Sequence, residues 1–216
     1  MTTQGMGSGP GTPGQPQPAY PGLIVRQKIT LITNQYWIHP LDESGNIGPL
    51  IAFAEQKKMR LREEVQFFAD TAARQLLFSF KSRQILDMAA TSDVFDVEGR
   101  PIGVFRKDAA KSLLNSTWEV EAPDLAATGR ERSGKVALVR RFGGFLPVVG
   151  DLLEAVPWQF HFDFVTDRGD LVMSSERQLR VRDEYRITLP PAVNGGPMDW
   201  RLAAALGVAL DAFQGR

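Results

Sequence analysis

The amino-acid sequence predicts a mainly β domain closed around a buried C-terminal helix. Three observations carry that expectation: apolar residues recur with period two from Leu23 onward, three segments share one hairpin signature, and the chain ends in a stretch that is apolar on nearly every side. A length of 216 residues with 43% hydrophobic content fits a single core. Because 25 basic residues are balanced by 25 acidic ones, attraction to a nucleic acid or a membrane has to come from a local patch, and no nucleic-acid partner is expected. The absence of cysteine excludes disulfides, thiolate metal sites, thiol nucleophiles and acyl anchors on sulfur. The first residues lack the charged start and apolar run of a secretory signal, and no apolar stretch reaches about 18 residues, so a cytoplasmic protein is expected.

Taken in order, residues 1–22 contain six glycines and five prolines. Such a composition buries too little to offset its ordering entropy and predicts a disordered tail that contributes nothing to folding; its prolines are where a protein partner would dock. The barrel domain is expected over 23–216. Within it, Trp158 to Phe164 put four aromatics on one face and three polar residues on the other, as a half-buried strand requires. Leu76, Phe78 and Phe80 repeat the alternation, as do Leu179 and Val181 against Arg180 and Arg182, and Tyr185, Ile187 and Leu189 against Arg186 and Thr188. The stretch 54–65 has helical composition, but Met59, Leu61 and Val65 alternate with Lys58, Arg60, Arg62 and Glu64, and it reads as one strand. Pro40 to Gly48, Phe95 to Gly103 and Phe164 to Leu171 each carry an acidic residue and a glycine suited to a tight turn. Recurrent hairpins predict a meander closed into a barrel or sandwich. After the breaker at 194–197, residues 198–213 predict a helix buried on all sides through Trp200, Leu202, Leu206, Val208, Leu210 and Phe213. It spans about 24 Å, short of the roughly 30 Å hydrocarbon core of a bilayer, and suits a helix threaded through a barrel.

Three local matches resemble the Tubby C-terminal-like superfamily in its phospholipid scramblase and LURP-one-related branches. They are Asp96 to Lys107 (DVEGRPIGVFRK), Lys111 to Leu113 leading to Trp118, and Asp199 to Arg201 with the apolar helix to Phe213. The resemblance covers roughly Leu23 to Phe213 and implies a 12-stranded closed barrel around a central hydrophobic helix. It also implies phospholipid or phosphoinositide binding, or lipid scrambling. The cysteine clusters of animal scramblases are missing. In the stretch 181–192, where their calcium loop would fall, only Asp183 and Glu184 supply carboxylates and Arg180, Arg182 and Arg186 oppose a cation. Calcium is therefore not expected, nor is any other cofactor.

Catalytic motifs are declined one by one. The segment 129–136 ends in Val136 where a phosphate loop needs a hydroxyl residue, and a strand-like run follows where a helix should open. His161 and Asp163 share a strand face but lack further ligands, no nucleophile elbow occurs, and carboxylate pairs such as Glu63 and Glu64 point to opposite sides of a strand. Arg140 and Arg141 precede an apolar stretch that either packs on the barrel or dips into a membrane interface. The functional expectation is a non-enzymatic module, peripheral at the inner membrane surface, that binds phospholipid headgroups, phosphoinositide or another small anion. Lys58, Arg60, Arg62, Arg180 and Arg182 are its candidate contacts. The alternatives are a phospholipid scramblase and a scaffold recruiting partners through the Pro-rich tail.

Overall fold

Alternating side chains give each strand one apolar face, and a sheet long enough to curl can hide all of those faces at once by closing on itself. In the computed structural model this closure is complete. It describes residues 18–29, 31, 33–57, 64–72, 74–83, 91–108, 117–132, 161–178, 184–193 and 196–214. The strands are β1 (Gly22–Ile29), β2 (Thr33–Leu41), β3 (Ala52–Lys57), β4 (Glu64–Phe68), β5 (Leu76–Ser82), β6 (Thr91–Asp96), β7 (Pro101–Lys107), β8 (Thr117–Ala122), β9 (Leu125–Glu131), β10 (His161–Thr166), β11 (Leu171–Gln178) and β12 (Glu184–Thr188). Each pairs antiparallel with the next, and β1 pairs with β12 from Gly22↔Thr188 to Arg26↔Glu184, which shuts the ring. The expected closed β barrel and its three hairpins are borne out: Gly45, Gly99 and Gly169 occupy the left-handed region at φ 79°, 79° and 88°, where a Cβ is resisted.

The expectation of one strand over 54–65 is corrected. Phe53, Ala54 and Glu55 pair antiparallel with Phe68, Phe67 and Gln66, so the chain reverses between β3 and β4. Period-two alternation continues on both arms of a hairpin, which is why the sequence pattern did not register the reversal. Of the aromatic strand expected at 158–164, Phe162 and Phe164 are buried and His161 and Asp163 half-exposed; 158–160 lie outside the described residues.

Helix α1 (Trp200–Gln214) fills the barrel. Asp199 caps it: its carbonyl accepts the Ala203 N–H at 3.0 Å and its carboxylate accepts the Arg201 N–H at 2.8 Å. Trp200, Leu202, Leu206, Val208 and Leu210 are each at most 2% exposed, as expected of a buried helix; the side chain of Phe213 lies outside the described residues. Six of its 15 residues are Ala or Gly, because the strands already fill the interior with aromatics. Phe67 stacks on Phe78 at 4.1 Å, Phe78 meets Trp200 edge-on at 5.5 Å, and Phe80 meets Phe105 at 5.4 Å. A Cβ on Gly207 would sit 2.6 Å from Ile187 Cδ1.

Of residues 1–22, expected as a tail, 18–22 are described. Tyr20 packs edge-on against Trp200 at 5.9 Å, Pro21 O accepts the Leu189 N–H at 2.8 Å, and Gly22 opens β1.

Antiparallel order sorts the connections into two rims. One rim, the turn rim, holds the connections 42–51, 69–75, 97–100, 123–124, 167–170 and the lead into α1 at 189–199. At the opposite rim the chain passes between strands through 30–32, 58–63, 83–90, 108–116, 132–160 and 179–183.

Candidate functional site

Among the described residues, a buried cluster of polar side chains joined by hydrogen bonds lies at the far end of α1, and Glu131, 6% exposed on β9, is a further buried carboxylate. Asp211, 9% exposed, accepts a hydrogen bond from Tyr36 Oη at 2.9 Å and further bonds from Tyr185 Oη and Gln27 Nε2. Gln27 Nε2 also reaches Tyr36 Oη at 3.3 Å, and Tyr36 Oη lies 3.4 Å from Gln56 Oε1. Burial, and then the charge and hydrogen bond of Asp211, push the Tyr36 phenol well above its usual value. Three strands, β1, β2 and β12, thus grip one carboxylate on the helix, and Gln56 of β3 lies against the Tyr36 hydroxyl. The arrangement anchors the helix end. Sequence reasoning read 198–213 as having no polar face and missed Asp211; a single acid in an otherwise apolar helix is the signal that could have found it.

The outer wall is laced with ion pairs. Arg132 binds Asp163 at 2.6 and 2.7 Å, Glu176 at 2.7 Å and Ser174 at 3.0 Å. These Arg132 hydrogen bonds hold the Asp163 carboxyl below its ordinary range. No group of three or more metal-ligating side chains occurs among the described residues. An open groove of about 860 Å³ crosses β7 to β10 with Ala126, Thr128 and Val165 on its floor. Its lining mixes Arg106, Arg130 and Arg168 with Glu119, Glu121, Asp124 and Asp167, and Arg106 is already paired with Glu119 at 2.5 Å. Four carboxylates against three guanidinium groups make it a poor seat for an anion.

The sequences of the connections at the two rims differ sharply in charge. Connections at the turn rim carry Asp42, Glu43, Asp70, Glu98, Asp124, Asp167, Asp170 and Asp199 against Arg74, Arg100 and Arg168. Those at the opposite rim carry Lys58, Arg60, Arg62, Arg83, Lys111, Arg132, Lys135, Arg140, Arg141, Arg180 and Arg182 against Glu63, Asp87, Asp108, Asp151, Glu154 and Asp183. In sequence, the connections that leave the strands at one end are therefore acidic on balance and those that leave at the other end basic, although the whole chain has no net charge. All five sequence-selected cations fall in connections of the basic rim: Lys58, Arg60 and Arg62 between β3 and β4, Arg180 and Arg182 between β11 and β12. Their own positions, like the basic and apolar stretch at 140–154 and residues 1–17, lie outside the described residues. Ion pairs hold some of the nearby described cations, as in Arg26 to Glu184 at 2.9 Å and Arg83 to Asp93 at 2.6 Å.

The fold is a closed antiparallel barrel filled by its C-terminal helix, with connections of opposite charge balance at its two ends. The chain belongs to the LURP-one-related family, whose model matches residues 51–211, from the start of β3 to Asp211. Strands β1 and β2 fall outside the matched span yet complete the ring between β12 and β3. No curated protein matches the sequence.

Proposed function

We propose that the protein is a non-enzymatic binding module that presents its basic rim to anionic groups: phospholipid headgroups, phosphoinositide or another small anion. The observation that carries this reading is that strand order sorts the connecting sequences into an acidic set at one end and a basic set at the other, a separation that on a neutral molecule orients the barrel before contact. The connections holding Lys58, Arg60 and Arg62 and those holding Arg180 and Arg182 leave strand ends separated only by β1 and β2. Three inter-strand steps of about 4.8 Å put those ends about 14 Å apart around the ring, close enough to serve one small patch of headgroups. The reading agrees with the resemblance to the Tubby C-terminal-like and scramblase branches. Binding is preferred to scrambling because α1 fills the interior and the outer wall carries charged pairs, the reverse of a lipid-embedded barrel. Such a module works peripherally, at the cytoplasmic face of a membrane.

Flotation with vesicles containing phosphatidylserine or phosphoinositide tests it. Each basic residue near an anionic surface adds about 1 kcal/mol, so Lys58→Glu/Arg60→Glu/Arg62→Glu should weaken binding at low salt about hundredfold. Wild-type binding should also fall as the Debye length shortens to about 8 Å at 0.15 M salt. Indifference of the wild type to anionic vesicles, or equal flotation of the triple variant, refutes the assignment of these contacts.

A further inference from the structure

We infer that Ile29 and Leu31 form an apolar wedge at the basic rim that inserts into the acyl boundary of an anionic bilayer. This rests on the headgroup reading above and narrows it: the partner is a membrane surface, not a free anion. Leu31 is 97% exposed and Ile29 is 61% exposed, so the apolar area that both present to water is free to be covered. Ile29 ends β1 and Leu31 lies in the short passage to β2, with Lys28 exposed beside them.

Position decides the partner. In the ring, β1 and β2 stand between β12 and β3, so in strand order the passage with Leu31 comes between the connection whose sequence carries Arg180 and Arg182 and the one whose sequence carries Lys58, Arg60 and Arg62. An apolar tip beside the exposed Lys28, next in strand order to connections of basic sequence, has the composition that suits an anionic interface, where burial and charge attraction add. The turn rim supplies the contrast. Ile47, Val97, Leu171 and Val193 are 40–75% exposed there, but they stand among the eight carboxylates of that rim, which an anionic surface repels. Among the described residues, the exposed apolar side chains that adjoin connections of basic sequence are therefore Ile29 and Leu31.

Burying one side chain of this size is worth about ten- to hundredfold in a partition coefficient. Leu31→Ser and Ile29→Ser in the full chain should each weaken binding to phosphatidylserine vesicles about tenfold. Binding of inositol hexakisphosphate, a soluble polyanion without acyl chains, should stay unchanged. At 97% exposure, Leu31→Ser should leave the melting temperature unmoved. The cysteine-free chain allows one label per variant. An environment-sensitive fluorophore on Leu31→Cys should shift to the blue on anionic vesicles and be quenched by spin labels in the acyl chains, while the same label on Val193→Cys stays in water. A wild type that floats while the Leu31→Cys label remains hydrated overturns the wedge and leaves the headgroup reading standing. Binding of the soluble polyanion without vesicle binding likewise overturns the wedge. Binding of neither overturns both. A concentration-dependent dimer that Leu31→Ser dissolves assigns these side chains to a second copy of the chain and also overturns it.

Discussion

Replacing Asp211 with alanine tests whether the buried carboxylate holds the end of the helix. The variant removes an acceptor shared by Tyr36, Tyr185 and Gln27, all inside the barrel. A hydrogen bond to a charged group contributes about 1.5–3 kcal/mol, so three bound donors set an upper limit of about 9 kcal/mol. Relief from burying the charge offsets part of that, and breaking comparable buried charged contacts costs about 3–5 kcal/mol. Against a total stability of about 5–15 kcal/mol the loss is large, and in a chain of this size about 4 kcal/mol lowers the melting temperature by about 8–16 °C. Asp211→Asn keeps one carbonyl acceptor and should lose about half as much. Guanidinium titration with calorimetry measures both. The alkaline limb supplies a second readout. The Tyr36 phenol is raised above 10.0 in the folded state, so its contribution is constant below pH 10 and declines as pH rises beyond it, by up to about 1.4 kcal/mol per pH unit. Tyr36→Phe should flatten that part of the decline. An Asp211→Ala variant within about 1 kcal/mol of wild type, with Asn no better than Ala, refutes the anchoring argument.

Two further outcomes are expected. Leu206→Asp places a carboxylate where the native side chain is 0% exposed and surrounded by apolar neighbours; a cost of several kcal/mol should leave the domain unfolded by circular dichroism, and a wild-type melt would mean that the helix does not fill the barrel. A chain beginning at Pro18 should melt like the full chain, whereas one beginning at Leu23 loses the Tyr20 contact with Trp200 and the Pro21 bond to Leu189 and should melt about 3–8 °C lower; equal melts would show that neither contact matters.

Much of the architecture was legible because it is written in local signals. The alternation at Tyr185, Ile187 and Leu189, the turn glycines Gly45, Gly99 and Gly169, and the apolar run from Trp200 each act within a few residues of themselves. Where the local signal was ambiguous the reading failed: alternation through 54–65 is identical for one long strand and for two arms of a hairpin, and only the pairing of Ala54 with Phe67 distinguishes them. The basic residues could be picked out by type, yet not gathered, since strand order decides which connections share a rim.

The sequence by itself determined that strands dominate, where three turns fall and that the last helix is buried, because backbone period and turn chemistry are properties of neighbours along the chain. Only the tertiary structure decided that β1 closes on β12, which connecting sequences leave the barrel at the same end, and that Asp211 meets Tyr36 and Gln27 across 175 and 184 residues. Those pairings join groups remote in sequence, so no local propensity encodes them and they exist only once the ring has closed around the helix.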